Sequence, residues 1–139
     1  MKRAQITIEY LVVLVVMILL FTSVSMDLTD FSLQNAMQSQ TASLIAVSEH
    51  ALLSSVEAVK YQGPGAVRSV SVRAPSDCSF IVGEKEVAVD CPATSFSKNY
   101  TGVKFAAISA SVPVAYECPS CPGGEIKKGE TQLVRVKKS

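Results

Sequence analysis

The feature that most constrains this sequence is a stretch of 58 residues, 5–62, that contains neither glycine nor proline. All seven glycines and all six prolines lie at or after residue 63. Because these two residues are the strongest breakers of helices, residues 5–62 are predicted to form one long helix. Residues 63–139 combine β-branched residues with turn residues, which is typical of short strands. The predicted fold class is therefore α+β, with a long N-terminal helix packed against a small C-terminal antiparallel β-domain.

The first half of this helix is apolar enough to span a membrane. No charged residue occurs in residues 10–26. At 1.5 Å of rise per residue this helical segment is about 26 Å long, close to the hydrocarbon thickness of a bilayer. Two basic residues, Lys2 and Arg3, precede this segment, and two aspartates follow it. Basic residues favour the cytoplasmic side, so the N-terminus is expected inside the cell and the β-domain outside.

The second half of the helix is amphipathic. At about 100° per residue, the apolar residues of 44–60 fall on one arc, with Leu53 as an exception on the polar side. Ser48 and Ser55 lie inside the arc, where small side chains let another backbone come close. The arc is wider than the usual stripe, so we expect it to pack on the β-domain and, in part, on another subunit. Its apolar members are Leu44, Ile45, Val47, Ala51, Leu52, Val56, Ala58 and Val59.

Glu9 lies just before an uninterrupted apolar run, Leu11–Phe21. A charge at this depth costs several kcal/mol unless it finds a partner. A secretory signal peptide cleaved near Ser23 and Ser25 accounts for the apolar run, and so does an uncleaved signal anchor. Neither interpretation gives Glu9 a role.

The stretch KRAQITIEYLVVL, residues 2–14, resembles the N-terminus of archaeal type IV pilins that carry a class III signal peptide. The resemblance implies that residues 1–4 are a leader, which a prepilin peptidase removes between Ala4 and Gln5 on the cytoplasmic side. The apolar segment is then retained. Cleavage creates an α-amino group on Gln5, largely protonated near neutral pH, with which Glu9 of the same or a neighbouring subunit can pair.

Two later stretches resemble the same family. The first, YQGPGAVRSVSVRAP (residues 61–75), contains a Gly-Pro-Gly junction in which Gly63 is expected to end the helix in the left-handed conformation. The second, GEIKKGETQLVRVKKS (residues 124–139), predicts a final hairpin whose last strand has Val134 and Val136 on one face.

The resemblance implies a structural function: a subunit of an archaeal type IV pilus that polymerises through its N-terminal helix into a cell-surface filament. The helix would form the filament core and the β-domain its outer face, with adhesion as one implied use. The implied partners are other copies of the chain, the prepilin peptidase, an assembly ATPase and a platform protein, with the membrane holding the chain before assembly. Two alternatives remain open: a single-pass, membrane-anchored extracellular binding module, and a minor pilin that does not form the filament body.

The four cysteines are consistent with export. The stretch CSFIVGEKEVAVDC, residues 78–91, predicts a hairpin whose arms bring Cys78 and Cys91 together. Cys118 and Cys121 form a C-x-x-C. An even number of cysteines outside a membrane indicates disulfides, and of the three possible pairings we favour Cys78–Cys91 and Cys118–Cys121. A four-cysteine zinc site is the alternative, but the second half of a zinc ribbon is missing.

The triplet Asn99-Tyr100-Thr101 is an N-glycosylation sequon. Such a short match often occurs by chance. On an exported surface protein it makes Asn99 a candidate glycosylation site.

The residue types argue against catalysis, metal binding and nucleic-acid binding. The formal net charge of +1 gives no basic footprint for nucleic acid. The single histidine, His50, falls on the polar side of the helix. Glu84 and Glu86 fall on a predicted hairpin turn, where solvation rather than acid–base chemistry is expected. We therefore expect no enzyme activity, no cofactor and no nucleic-acid partner.

Overall fold

The computed structural model describes the backbone of residues 2–139 and the side chains of residues 7–139. In this part of the chain one α-helix, α1, spans Lys2–Lys60, and seven strands follow it. The predicted α+β fold class is confirmed. The strands are β1 (Val67–Arg73), β2 (Ser79–Val82), β3 (Val87–Asp90), β4 (Lys104–Phe105), β5 (Val114–Glu117), β6 (Glu125–Ile126) and β7 (Thr131–Lys138).

The chain divides into two compact units, residues 1–36 and residues 37–139. The first unit contains the N-terminal part of α1. The second contains the rest of α1 together with all seven strands.

The strands form two antiparallel sheets. Sheet A has the order β1-β7-β5, and sheet B has the order β4-β3-β2-β6. Sheet B is built on the predicted hairpin, in which β2 pairs with β3. The prediction of a final hairpin is wrong, because the turn at residues 127–130 carries the chain from sheet B to sheet A. The last strand, β7, therefore pairs with β1 and β5 rather than with β6.

One cluster of buried side chains joins the C-terminal part of α1 to both sheets. On the sheets, Val134 and Val136 are fully buried on one face of β7, and the rings of Phe80 and Phe105 meet edge to face at 5.0 Å. Buried positions of α1 recur every three or four residues, as expected for a helix with one buried face. They are Thr41, Ile45, Ser48, Leu52, Ser55, Val56 and Val59.

The buried stripe of α1 is narrower than the predicted arc. Val47 is 67% exposed, and Leu44 and Ala51 are half-buried. Ser48 and Ser55, in contrast, are buried against the β-domain. The predicted arc is wider than the buried stripe because its edge residues were assigned by hydrophobicity alone. The β-domain covers only the side of α1 on which Ser48 and Ser55 lie.

The end of α1 is capped by the last strand. Lys138 Nζ donates to the carbonyls of Lys60 at 2.9 Å and Gln62 at 2.5 Å. A cation on these terminal carbonyls is favourable, because they have no partner within the helix. The expectation that Gly63 ends the helix in the left-handed conformation is wrong: Gly65 has the positive φ, +79°. The left-handed residue is needed in the turn into β1 rather than at the end of the helix.

The four cysteines form two cystines, Cys78–Cys91 and Cys118–Cys121. This is the pairing favoured from the sequence. The first cystine joins the two ends of the β2–β3 hairpin, and the second closes a short loop after β5.

Removing Cys78–Cys91 should destabilise the domain more than removing Cys118–Cys121. The sequence separations are 13 and 3 residues, for which loop-closure entropy gives about 3 and about 2 kcal/mol. Cys78 is also fully buried, so its truncation removes packing as well. The measurement is urea unfolding of each double alanine variant of the full chain in detergent, read by pulse proteolysis. Equal losses from the two variants would contradict this ranking.

Candidate functional site

The exposed apolar surface of the first unit is the main candidate site. Every residue from Leu11 to Phe21 is at least 45% exposed. Helix α1 is long and apolar enough to span a membrane. An apolar surface of this extent requires a covering partner, either lipid or protein.

Seven side chains between Tyr10 and Thr22 lie along one side of α1 and form two shallow, largely apolar grooves. Their positions recur every three or four residues, the spacing into which the side-chain ridge of a neighbouring helix fits. One groove is lined by Leu14, Met17, Ile18, Phe21 and Thr22, and the other by Tyr10, Val13, Leu14 and Met17.

Hydroxyl side chains near the end of the apolar segment bond to the backbone of their own helix. Ser23, Ser25 and Thr29 donate to carbonyls three or four residues earlier at 2.6 to 3.0 Å, and Thr22 does the same. These bonds satisfy the hydroxyls without any outside partner, so they are tolerated in an apolar environment. Ser23 and Ser25, the cleavage site in the secretory interpretation, thus lie inside the continuous helix α1.

Glu9 is exposed on α1, one turn before Val13. Among the side chains that the structure describes, from residue 7 onward, none forms an ion pair with Glu9. Ala4 and Gln5, the expected cleavage junction, lie outside those described side chains. The pairing of Glu9 with the amine of Gln5 therefore stays a prediction.

A cluster of hydrogen-bonded polar side chains in the second unit connects α1 to a loop of the β-domain. The Asp77 carboxylate accepts hydrogen bonds from Ser95 Oγ at 2.5 Å and from the backbone N–H of Ser97 at 3.1 Å. Thr41 Oγ1 of α1 lies 2.8 Å from Ser97 Oγ, and both of these residues are fully buried. Sequence reasoning missed this cluster, because its members are as much as 56 positions apart and no local pattern links them.

Replacing Asp77 by asparagine should lower the free energy of unfolding and make that free energy depend less on pH in the acidic range. Burial raises the pKa of the Asp77 carboxyl, but the hydrogen bonds from Ser95 and Ser97 outweigh it and hold the pKa below its usual value. Since the folded-state pKa is depressed, the stabilisation is complete above about pH 4 and is lost as the pH falls through the folded-state pKa. We expect a loss of about 1–2 kcal/mol at neutral pH.

The measurement is the free energy of unfolding of the wild type and of Asp77→Asn, at neutral pH and near pH 3. The difference between the two proteins should shrink at the lower pH. Asp90→Asn, at an exposed position of β3, is the matched control for the loss of one carboxylate. A difference that stays constant with pH would contradict the role assigned to Asp77.

Asn99 and Tyr100 of the sequon lie in a short 3-10 turn, Lys98–Tyr100, and Thr101 follows it. Asn99 is exposed. The hydroxyl of Thr101 donates to the Cys91 carbonyl at 2.9 Å and accepts from the Cys91 N–H at 3.2 Å. Asn99 is therefore accessible on the surface, and its glycosylation stays a prediction.

The residues predicted from the sequence are divided between the two units. Glu9 belongs to the first unit, whereas the four cysteines and Asn99 belong to the second. No family model, curated protein or solved structure matches this chain.

Proposed function

We propose that this chain is a structural subunit of an archaeal type IV pilus, which polymerises through its N-terminal helix into a cell-surface filament. The observation that carries the proposal is the combination of an exposed apolar helix surface with a carboxylate, Glu9, at its start. An ordinary membrane anchor needs the apolar surface but has no use for the acid.

Assembly accounts for both features. A prepilin peptidase cuts between Ala4 and Gln5, and the new amine at Gln5 becomes the partner of Glu9. Such a desolvated pair is better at fixing register than at adding stability. The apolar surface moves from lipid to neighbouring helices, where packing rather than hydrophobicity selects the arrangement. The grooves between Tyr10 and Thr22 provide that packing surface.

The second unit supports export of the C-terminal part of the chain. Two cystines are typical of an oxidising compartment. The N-terminus then lies in the cytoplasm, the β-domain lies outside, and the assembled filament is extracellular. An assembly ATPase and a platform protein complete the set of partners, and adhesion is one use of such a filament.

The test is the N-terminal residue of the mature protein from cells, read by mass spectrometry of its terminal peptide. We expect a start at Gln5, together with filaments that an antibody against the β-domain labels in electron micrographs. A start near Met26 would indicate an ordinary secreted domain, and an intact Met1 would indicate an uncleaved anchor. Either result would overturn the proposal.

A start at Gln5 without labelled filaments would overturn the proposed role in the filament body. The chain would then be better described as a minor pilin. The alternative of a membrane-anchored binding module corresponds to the intact Met1.

A further inference from the structure

The exposed face of sheet A is basic and has an apolar centre. The side chains that point outward alternate with the buried ones along β7, and they include Leu133, which is 55% exposed. Arg135 lies two positions along the same strand, and Arg73 lies on β1. Lys137 is paired with Glu117 of β5 at 3.7 Å. We call this surface, defined by these five residues, the basic face.

The exposed face of sheet B also has an apolar centre, but most of its charged residues are acidic. Its apolar centre is Ile81 of β2, which is 43% exposed and lies opposite Glu125 of β6. Asp90 is exposed at the end of β3. Lys104 is paired with Glu86 at 2.6 Å. We call this surface, defined by these five residues, the acidic face.

The two faces are complementary in charge. The basic face has three cations against one carboxylate, and the acidic face has three carboxylates against one ammonium group. Each face contains one internal ion pair. Among the described residues this leaves two arginines without an ion pair on one face and two carboxylates, Asp90 and Glu125, without one on the other. An apolar centre with a charged rim is the usual anatomy of a protein interface.

The geometry points to a docking contact in which the basic face of one copy of this chain packs on the acidic face of the next. This inference rests on the proposed function, since it identifies which surfaces of neighbouring subunits meet. Leu133 would then lie against Ile81, with the arginines of one copy beside the carboxylates of the other. Two basic faces or two acidic faces would repel each other, so the charges select head-to-tail contacts.

A head-to-tail contact uses a different face on each partner. It therefore generates an open chain of subunits unless the rotation between them closes a ring. A symmetric dimer, in contrast, would bring like faces together. The charge pattern thus favours a polymer over a dimer.

The size of the faces predicts that the contact is weak alone. Sheet A has three strands, spaced about 4.8 Å apart and at most about 26 Å long, so its face covers at most roughly 370 Å². A stable complex buries about 800 Å² on each partner. The contact therefore requires a second attachment that raises the effective concentration of the two faces. Packing between the N-terminal helices provides it, so the test must use the full chain.

The first experiment reverses one charge on each face. Arg135→Glu and Glu125→Arg should each lower the number of filaments per cell more than tenfold, because each places like charges together. The double variant should restore filaments, since it recreates an opposite pair with the two signs exchanged. Lys128→Glu changes the net charge as Arg135→Glu does, but at an exposed turn outside both faces, and should leave filaments unchanged.

Restoration by the double variant also excludes a folding defect as the cause of the loss. Normal filaments from both single variants would overturn the contact. So would a double variant that assembles no better than the single ones. In either case the wild-type filaments would still support the proposed function.

A second experiment detects the contact directly. Arg135→Lys keeps the charge and adds an amine that a zero-length carbodiimide can join to a carboxylate. Filaments, or membranes if no filaments form, are prepared from a mixture of ¹⁴N- and ¹⁵N-labelled copies of this variant. We expect mixed-isotope cross-links between position 135 and Glu125 or Asp90. Cross-links that contain one isotope only, or none at these positions, would overturn the contact.

Discussion

Replacing Glu9 by alanine is expected to abolish filaments while leaving cleavage and membrane insertion intact. The variant keeps the junction Ala4–Gln5 and the entire apolar segment, so the proposed peptidase and the membrane would meet an unchanged sequence. What it loses is the carboxylate that would pair with the amine of Gln5 in the assembled state. Without that pair a buried amine has no counter-charge, which is strongly unfavourable. Filaments are counted by electron microscopy, and cleavage is read by mass spectrometry of the terminal peptide.

Two variants sharpen this test. Glu9→Gln keeps the shape and a hydrogen-bond acceptor but removes the charge, and it should fail to assemble as the alanine variant does. Asp27→Ala removes an exposed carboxylate at the other end of the apolar segment and should assemble normally. Wild-type numbers of filaments from Glu9→Ala would exclude the pairing role and leave the position of the acid unexplained.

Replacing Leu52 by alanine should lower the free energy of unfolding of the β-domain by about 3–5 kcal/mol. Leu52 is fully buried and belongs to the cluster that joins α1 to both sheets. Truncation leaves a cavity at this junction as well as losing buried apolar area. Since a small domain has only about 5–15 kcal/mol of stability, this is a large part of the total. Pulse proteolysis of the full chain in detergent, across a urea series, gives the value.

The adjacent residue is the matched control. Leu53 is half-buried at the edge of the core, so Leu53→Ala makes the same chemical change with less packing lost. It should cost about 1 kcal/mol, the transfer free energy of partly buried methylene groups. Similar losses from Leu52→Ala and Leu53→Ala would mean that α1 is not docked through the stripe that contains Leu52.

The features that the sequence predicted correctly depend on local signals. The absence of glycine and proline placed the end of α1 within two residues of Lys60. The hairpin β2–β3 was predicted because its arms and turn are contiguous, and the same contiguity indicated which cysteines meet. The role of Glu9 was also inferred from local context, a charge beside an apolar run, and it stays a prediction.

The features that the sequence could not predict depend on contacts between distant residues. Nothing near β7 distinguishes pairing with β6 from pairing with β1, because both choices bury Val134 and Val136. The sequence suggests that Lys138 is simply an exposed lysine of the last strand. In the structure its side chain caps α1 by donating to the carbonyl of Lys60, which is 78 positions earlier. The Asp77 cluster and the exposure of Val47 follow in the same way from how α1 packs in three dimensions. Hydrophobicity along the chain indicates which side of α1 is buried, but not which distant residues that side meets.

The cap on α1 also determines how mechanical load passes through the second unit. The covalent connection from α1 enters sheet A at the start of β1, and Lys138 ties the end of β7 to the last turn of α1 at the same place. Backbone hydrogen bonds between Lys138 and the residues Gly65 and Ala66 connect the end of β7 to the segment that leads into β1. Tension along α1 is therefore shared between two strands rather than concentrated on one peptide segment. The Gly-Pro-Gly junction is consequently expected to act as a braced connection and not as a free hinge when tension is applied along α1.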